Sequence, residues 1–144
     1  MKGNSIQILI VEDSPSDAFI VREALKQAQE PSDVHCVRDG VEAIEFLHRR
    51  GPFVDAPRPD IMLLDLNLPR KDGRELLAEI KSDEKLKSIP VIVLTSSAAD
   101  QDVSRAYSLH ANCYLTKPAD FSQFKEMVRA IENFWFKNVT LPPP

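Results

Sequence analysis

Residues Ile61-Met62-Leu63-Leu64-Asp65 form an almost unbroken apolar run that ends on a carboxylate. A strand with one wet face alternates apolar and polar residues. This run does not alternate, so it suits a strand covered on both faces, as strands of parallel sheets are. Similar short runs lie on either side of it. Ile6-Gln7-Ile8-Leu9-Ile10-Val11 precedes it, with a weaker run from Val34 to Val37. Pro90-Val91-Ile92-Val93-Leu94-Thr95 and Cys113-Tyr114-Leu115-Thr116 follow. Each is bounded by a helical pattern. Ser14-Pro15 offers an N-cap with proline at the first helical position, and Ala18, Val21, Leu25 and Ala28 then recur at three- and four-residue spacing. After Asp39-Gly40, Val41, Ile44 and Leu47 share one side. Gly51 to Pro59 carries three prolines and reads as a loop. A third helix bears Leu76, Leu77 and Ile80, a fourth spans Gln101 to His110, and a fifth starts near Asp120 with Phe121, Phe124, Val128, Ile131 and Trp135 at heptad-like spacing, the first four of them expected in the core.

Five strand–helix units in series predict an α/β fold: a doubly wound, five-stranded parallel sheet with helices on both faces. The 144 residues read as a single domain, 1–144, with a core of about 6–136 and a tail, 137–144, whose Pro-rich end is extended. Eighteen basic against 22 acidic residues give a net charge of −4, which disfavours sequence-independent nucleic-acid binding. No apolar run approaches the ~20 residues needed to cross a bilayer. The start, Met1 to Ser5, does not read as a signal peptide. Cys36 and Cys113 lie far apart without CxxC spacing, so two half-buried thiols in a reduced, cytoplasmic protein are expected.

Ligands of such sheets bind beyond the carboxyl ends of the strands. There the sequence puts Glu12-Asp13, Asp65, Thr95 and Thr116-Lys117-Pro118. Clustered carboxylates repel and raise one another's pKa unless a cation offsets them. Lys117 is one candidate, and a hard, oxygen-ligated ion such as Mg²⁺ on Asp13 and Asp65 is the other. Lys117 and Thr95 would then face the oxygens of a phosphoryl group, whose transfer depends on positioning and positive charge. Taken singly, each residue has a plainer reading: Glu12 and Asp13 as solvated strand ends, Thr95 as a helix-cap or loop hydroxyl, Tyr114 as a half-buried strand aromatic. His35, His48 and His110 have no ligand spacing and are assigned no role.

Together, Glu12-Asp13, Asp65, Thr95-Ser96 and Lys117-Pro118 resemble the signature of bacterial response-regulator receivers, over about residues 6–136. The resemblance implies Asp65 as phosphoacceptor, Asp13 as a direct Mg²⁺ ligand, Glu12 as a ligand through water, and the Asn67 backbone carbonyl completing the metal shell. It further implies Lys117 paired with the phosphoryl group, a cis Lys117-Pro118 bond, Thr95 and Tyr114 as switch residues, and Asn67 and Ser97 as positions that tune phosphate lifetime. Output would leave through the face of the fourth helix, fifth strand and fifth helix. Such a protein is a signalling switch that catalyses only its own phosphoryl transfer and dephosphorylation. Gly51-Pro52, Arg58-Pro59-Asp60, the stretch Leu64 to Glu75, His110 to Lys117, and the ending Phe134-Trp135-Phe136 to Pro142 are similar to the small receivers paired with bacterial phytochrome kinases. That similarity implies a light-sensing histidine kinase as phosphodonor.

Other classes fit less well. A phosphatase of the haloacid-dehalogenase type needs a second Asp two residues after its nucleophile as general acid, and Asn67 stands there. A flavodoxin-like flavin carrier would have to bind a phosphate beside Glu12-Asp13, which would repel it. The alternative within the family is a degenerate receiver that acts only as a protein-binding module. The terminal cluster Phe134-Trp135-Phe136, with Val139 and Leu141, is more apolar surface than one helix end usually hides, so a homodimer through this end is expected, with folding back onto its own domain as the alternative.

Overall fold

The computed structural model describes residues 5–27 and 31–143. Its elements are β1 (Ile6–Val11), α1 (Pro15–Lys26), β2 (Ser32–Val37), α2 (Gly40–Leu47), β3 (Ile61–Leu64), α3 (Gly73–Ser82), β4 (Val91–Thr95), α4 (Asp100–Ser108), β5 (Cys113–Thr116) and α5 (Phe121–Ile131). All strand pairings are parallel, in the order β2-β1-β3-β4-β5. The chain thus starts in the interior of the sheet and winds outward in both directions, as expected.

The strand period of two divides the core. Leu9, Val11, Met62, Leu64, Val91 and Val93 point to one face, where Ala43, Phe46, Leu76, Leu77, Ile80 and Ala106 of α2, α3 and α4 cover them. Ile8, Ile10, Ile61, Leu63, Ile92 and Leu94 point to the other, against Val21 and Leu25 of α1 and Phe124, Val128 and Ile131 of α5. Each such side chain contributes about 1.5–3 kcal/mol of burial, and β3 and β4 are buried at every position.

Helix starts follow the local chemistry. Ser14, Asp39, Asp72 and Asp120 each cap a helix by accepting a backbone N–H, and Asp72 with Glu75 completes a capping box on α3.

Several expectations are corrected. The buried seam of α2 is Gly40, Ala43 and Phe46, with Ile44 and Leu47 half-buried beside it, because Phe46 takes the core position between His35 and Phe53. β2 begins at Ser32, carried past its apolar residues by the ladder with Ile6 and Gln7. The proline-rich loop contains one short 3₁₀ turn, Gly51–Phe53. α4 ends at Ser108, because His110 turns left-handed (φ 73°) at its C-terminus. Phe121 is 59% exposed, since α5 turns Phe124, Val128 and Ile131 to the core instead. Ala28 lies outside the described residues, as do Met1–Asn4 and Pro144. Beyond Ile131 the helix continues in widened, π-type turns through Glu132–Asn138, so the tail begins at Val139. Phe136 folds back into the core and Trp135 packs half-buried beside it. Phe134 stays 54% exposed, edge-on against Trp135. Cys36 and Cys113 are free and half-buried.

Candidate functional site

The carboxyl ends of β1, β3, β4 and β5 bring Glu12, Asp65, Thr95 and Lys117 together. Parallel registry sets this: Asp65 donates its N–H to the Val11 carbonyl (3.0 Å), and Lys117 donates its N–H to the Thr95 carbonyl (2.7 Å). The Lys117 ammonium, 5% exposed, donates to Glu12 Oε1 (2.6 Å), Asp17 Oδ2 (2.8 Å) and Asp65 Oδ2 (3.2 Å). The other Asp65 oxygen accepts from the Thr95 hydroxyl (2.7 Å) and, at 3.2 Å, from the Asn67 N–H. Thr95 is fully buried. It closes β4 and caps no helix, which sets aside the helix-cap and loop-hydroxyl readings.

Three carboxylates therefore share one ammonium. Burial pushes the Glu12 carboxyl up to about 7; the hydrogen bond from Lys117 opposes that rise and the nearby Asp65 charge adds to it. Burial alone would lower the Lys117 ammonium, but its bonds to Asp17 and Glu12 outweigh burial and hold it above the ordinary lysine value. One lysine does not neutralise this set, and every donor in it is oxygen, which suits a hard divalent cation. Asp13 and Asn67 stand at the solvent-facing rim. Among the described residues no three His, Cys, Asp or Glu side chains come together at metal-holding spacing.

Asp17 had no distinguishing signal in the sequence. In the first turn after Ser14-Pro15 it reads as an ordinary acid favoured by the helix dipole, and only the fold shows that it bonds to Lys117. Tyr114 stands half-buried on β5. Its hydroxyl donates to the Ser97 carbonyl (2.8 Å), and its backbone N–H donates to the Tyr107 hydroxyl (3.2 Å). The cis bond implied for Lys117-Pro118 is not present: the described residues contain no cis peptide. No helix among them is long and apolar enough to cross a membrane.

Known proteins resemble the chain over most of its length. Residues 8–129 match the family model described as the response regulator receiver domain. The chain is 50% identical over 135 residues to response regulator Rcp1 of Synechocystis, covering 94% of this chain and 92% of that protein. It is 41% identical to the probable methanogenesis regulatory protein FilR2 of Methanothrix harundinacea, over 89% of this chain and 82% of that one. Among solved structures, the phosphorylated cyanobacterial phytochrome response regulator RcpA superposes with a TM-score of 0.94 at 50% identity, covering 96% and 99% of the two chains. The Mn²⁺-bound form of Rcp1 superposes at 0.93 with 49% identity and the same coverage.

Proposed function

This chain belongs to the response regulator receiver family, and from that premise we propose that it is a two-component phosphorelay switch phosphorylated on Asp65. The single observation that carries the reading is the pairing of both Asp65 oxygens, one with the Thr95 hydroxyl and one with the Lys117 ammonium. That leaves the carboxylate held and oriented by two donors that can follow charge onto a transferred phosphoryl group. In the reaction an Asp65 oxygen attacks phosphorus, the P–N bond to the kinase histidine breaks, and the released imidazole takes up a proton. The product is an acyl phosphate. Lys117 and Thr95 then face the phosphoryl oxygens, supplying positive charge and a hydrogen bond where negative charge develops.

Mg²⁺ would be held by Asp13, Asp65 and the Asn67 backbone carbonyl, with Glu12 reaching it through water. The cation would offset the carboxylate cluster and the phosphoryl charge. Support for a divalent ion comes from the oxygen-only donors here and from the Mn²⁺-bound Rcp1 structure. The protein works in the cytoplasm and its phosphodonor is a histidine kinase of the phytochrome type, a reading supported by the phytochrome response regulator RcpA and the bacteriophytochrome response regulator RtBRR, 37% identical. Phosphorylation adds nearly two negative charges beside Lys117 and Thr95. The face of α4, β5 and α5, where Tyr114 rests on Ser97, is the output surface. The exposed Phe134 with Trp135 forms the contact of a homodimer.

Acetyl phosphate with and without Mg²⁺, followed on a phosphate-affinity gel, tests the core of this. A metal-dependent shifted band that Asp65→Asn abolishes is the expected result. If neither the gel nor intact mass shows a phosphate or beryllofluoride adduct, the chain is a binding module only.

A further inference from the structure

A second polar network lies outside the Lys117 cluster and joins the loop after β3 to the loop after β4. Between Thr95 and Asp100 the backbone belongs to neither strand nor helix. Within that stretch Ser97 makes two anchoring contacts: its carbonyl accepts from the Tyr114 hydroxyl, and its own hydroxyl donates to Asp102 Oδ2. The other oxygen of Asp102 accepts from Arg74 through Nη2 (2.8 Å) and Nε (3.3 Å). Arg74 is fixed in turn by Asp72, at 3.1 Å and 3.3 Å, and points Nη1 at the Leu66 carbonyl (3.5 Å). Leu66 follows Asp65 directly.

Two routes therefore run from Asp65 to this loop. The inner one is the Thr95 hydroxyl. The outer one passes through Leu66, Arg74, Asp102 and Ser97, and nothing in it touches the Asp65 carboxylate. We propose that Arg74 and Asp102 are positioning residues for phosphoryl transfer: a latch that fixes Ser97, and with it Thr95 and Tyr114, where Thr95 meets Asp65. The inference rests on the function proposed above.

The chemistry of the pair suits this task. A guanidinium fork fixes direction as well as distance, which a lysine cannot do. Both side chains are about four-fifths covered, at 20% and 23% exposure, so the pair is less open to water than ordinary surface ion pairs. The Ser97 hydroxyl and Arg74 together hold the Asp102 carboxyl below its usual range, which keeps it ionised as the acceptor of both.

The test compares the full chain with Arg74→Ala, Arg74→Lys, Asp102→Ala and the double Ala variant. The readouts are the rate of phosphorylation by acetyl phosphate and amide exchange over residues 96–102 and 113–115. Release of the latch lowers the rate roughly three- to tenfold, equivalent to about 0.7–1.4 kcal/mol at 1.36 kcal/mol per decade. It also raises exchange in those two segments while β1 and α2 keep the parent rate. The double variant falls no further than the worse single one, and Arg74→Lys recovers only part of the rate. If Arg74→Ala phosphorylates and exchanges like the parent, the latch is wrong. A slower rate with unchanged exchange, or exchange raised throughout the chain, overturns it as well. If no protein takes phosphate but exchange rises only in these segments, the latch stands and the phosphorylation reading falls.

Discussion

Glu12 is the least comfortable residue in the molecule, and its discomfort is measurable. Its carboxyl titrates near 7 when folded against 4.5 as a free side chain. Between those values the folded chain holds a proton that the unfolded chain has released, so stability falls as pH rises through that window. Glu12→Gln keeps an oxygen for Lys117 and removes the charge. At pH 8 it should melt above the parent by several degrees, since about 1 kcal/mol moves Tm by roughly 2–8 °C, and the advantage should shrink as pH approaches 5. Millimolar Mg²⁺ should raise the melting point of the parent more than that of Glu12→Gln. A variant that melts with the parent at both pH values would show that Glu12 is not strained. Lys117→Ala should slow phosphorylation by acetyl phosphate at least tenfold, because three carboxylates lose their shared ammonium; an unchanged rate would remove its proposed role. At this scale the sequence was legible wherever a residue closes a strand, so Glu12, Asp65, Thr95 and Lys117 could be grouped from spacing alone. Asp17, Arg74 and Asp102 could not. Asp17 and Asp102 sit in the first turn of a helix, where an acid has an ordinary explanation, and Arg74 reads as one more surface cation; the Asp17–Lys117 and Arg74–Asp102 contacts span 100 and 28 residues of chain.

Among the elements, α3 ties the site to the core most tightly. Its first residue, Gly73, lies so close to the Asp65 carbonyl and the Leu66 backbone that a Cβ there would collide with main chain. Its cap, Asp72, accepts from the Arg74 N–H at 3.0 Å and also holds the Arg74 guanidinium. Asp72→Ala should therefore cost about 1 kcal/mol for the lost cap and also loosen Arg74, whereas a cap elsewhere, Asp120→Ala on α5, should cost similar stability with no change in exchange at residues 96–102. Gly73→Ala should be the more damaging of the two helix-start variants and should displace Asp65 itself, visible as slower phosphorylation at temperatures where the protein is still folded. Equal behaviour of Gly73→Ala and the parent would mean that the backbone yields there. Strand and helix existence was readable throughout, because apolar runs and caps are local signals. The faces were less so. The short α2 allowed two adjacent stripes, and only the aromatic contacts of Phe46 with His35 and Phe53 decide between them.

At the scale of the whole molecule, the C-terminal end is where sequence and structure differ most. The aromatic triplet was read as one sticky patch, yet widened helical turns send its members different ways: Phe136 inward, Trp135 to the margin, Phe134 outward. No side-chain pattern announces a change of helical pitch, so periodicity alone could not resolve it. The surface left for a second copy is correspondingly smaller and centred on Phe134. Phe134→Ser should abolish a dimer seen by light scattering at tens of micromolar while moving the melting point of the monomer little, since the ring is half in water already. A monomeric parent would end the proposal of self-association.

The order β2-β1-β3-β4-β5 has a mechanical consequence. β5, which carries Tyr114 and leads into Lys117, is a margin strand, half-covered along its length, whose one neighbour in the sheet is β4. Displacing it disturbs one ladder, whereas displacing β3, locked between two neighbours and fully covered, would disturb two. The proposed acceptor Asp65 thus follows a strand held on both sides, and the proposed responding aromatic stands on one held on a single side. If Asp65 takes up charge as proposed, the strand that yields to it at the cost of one ladder is the one that carries Tyr114.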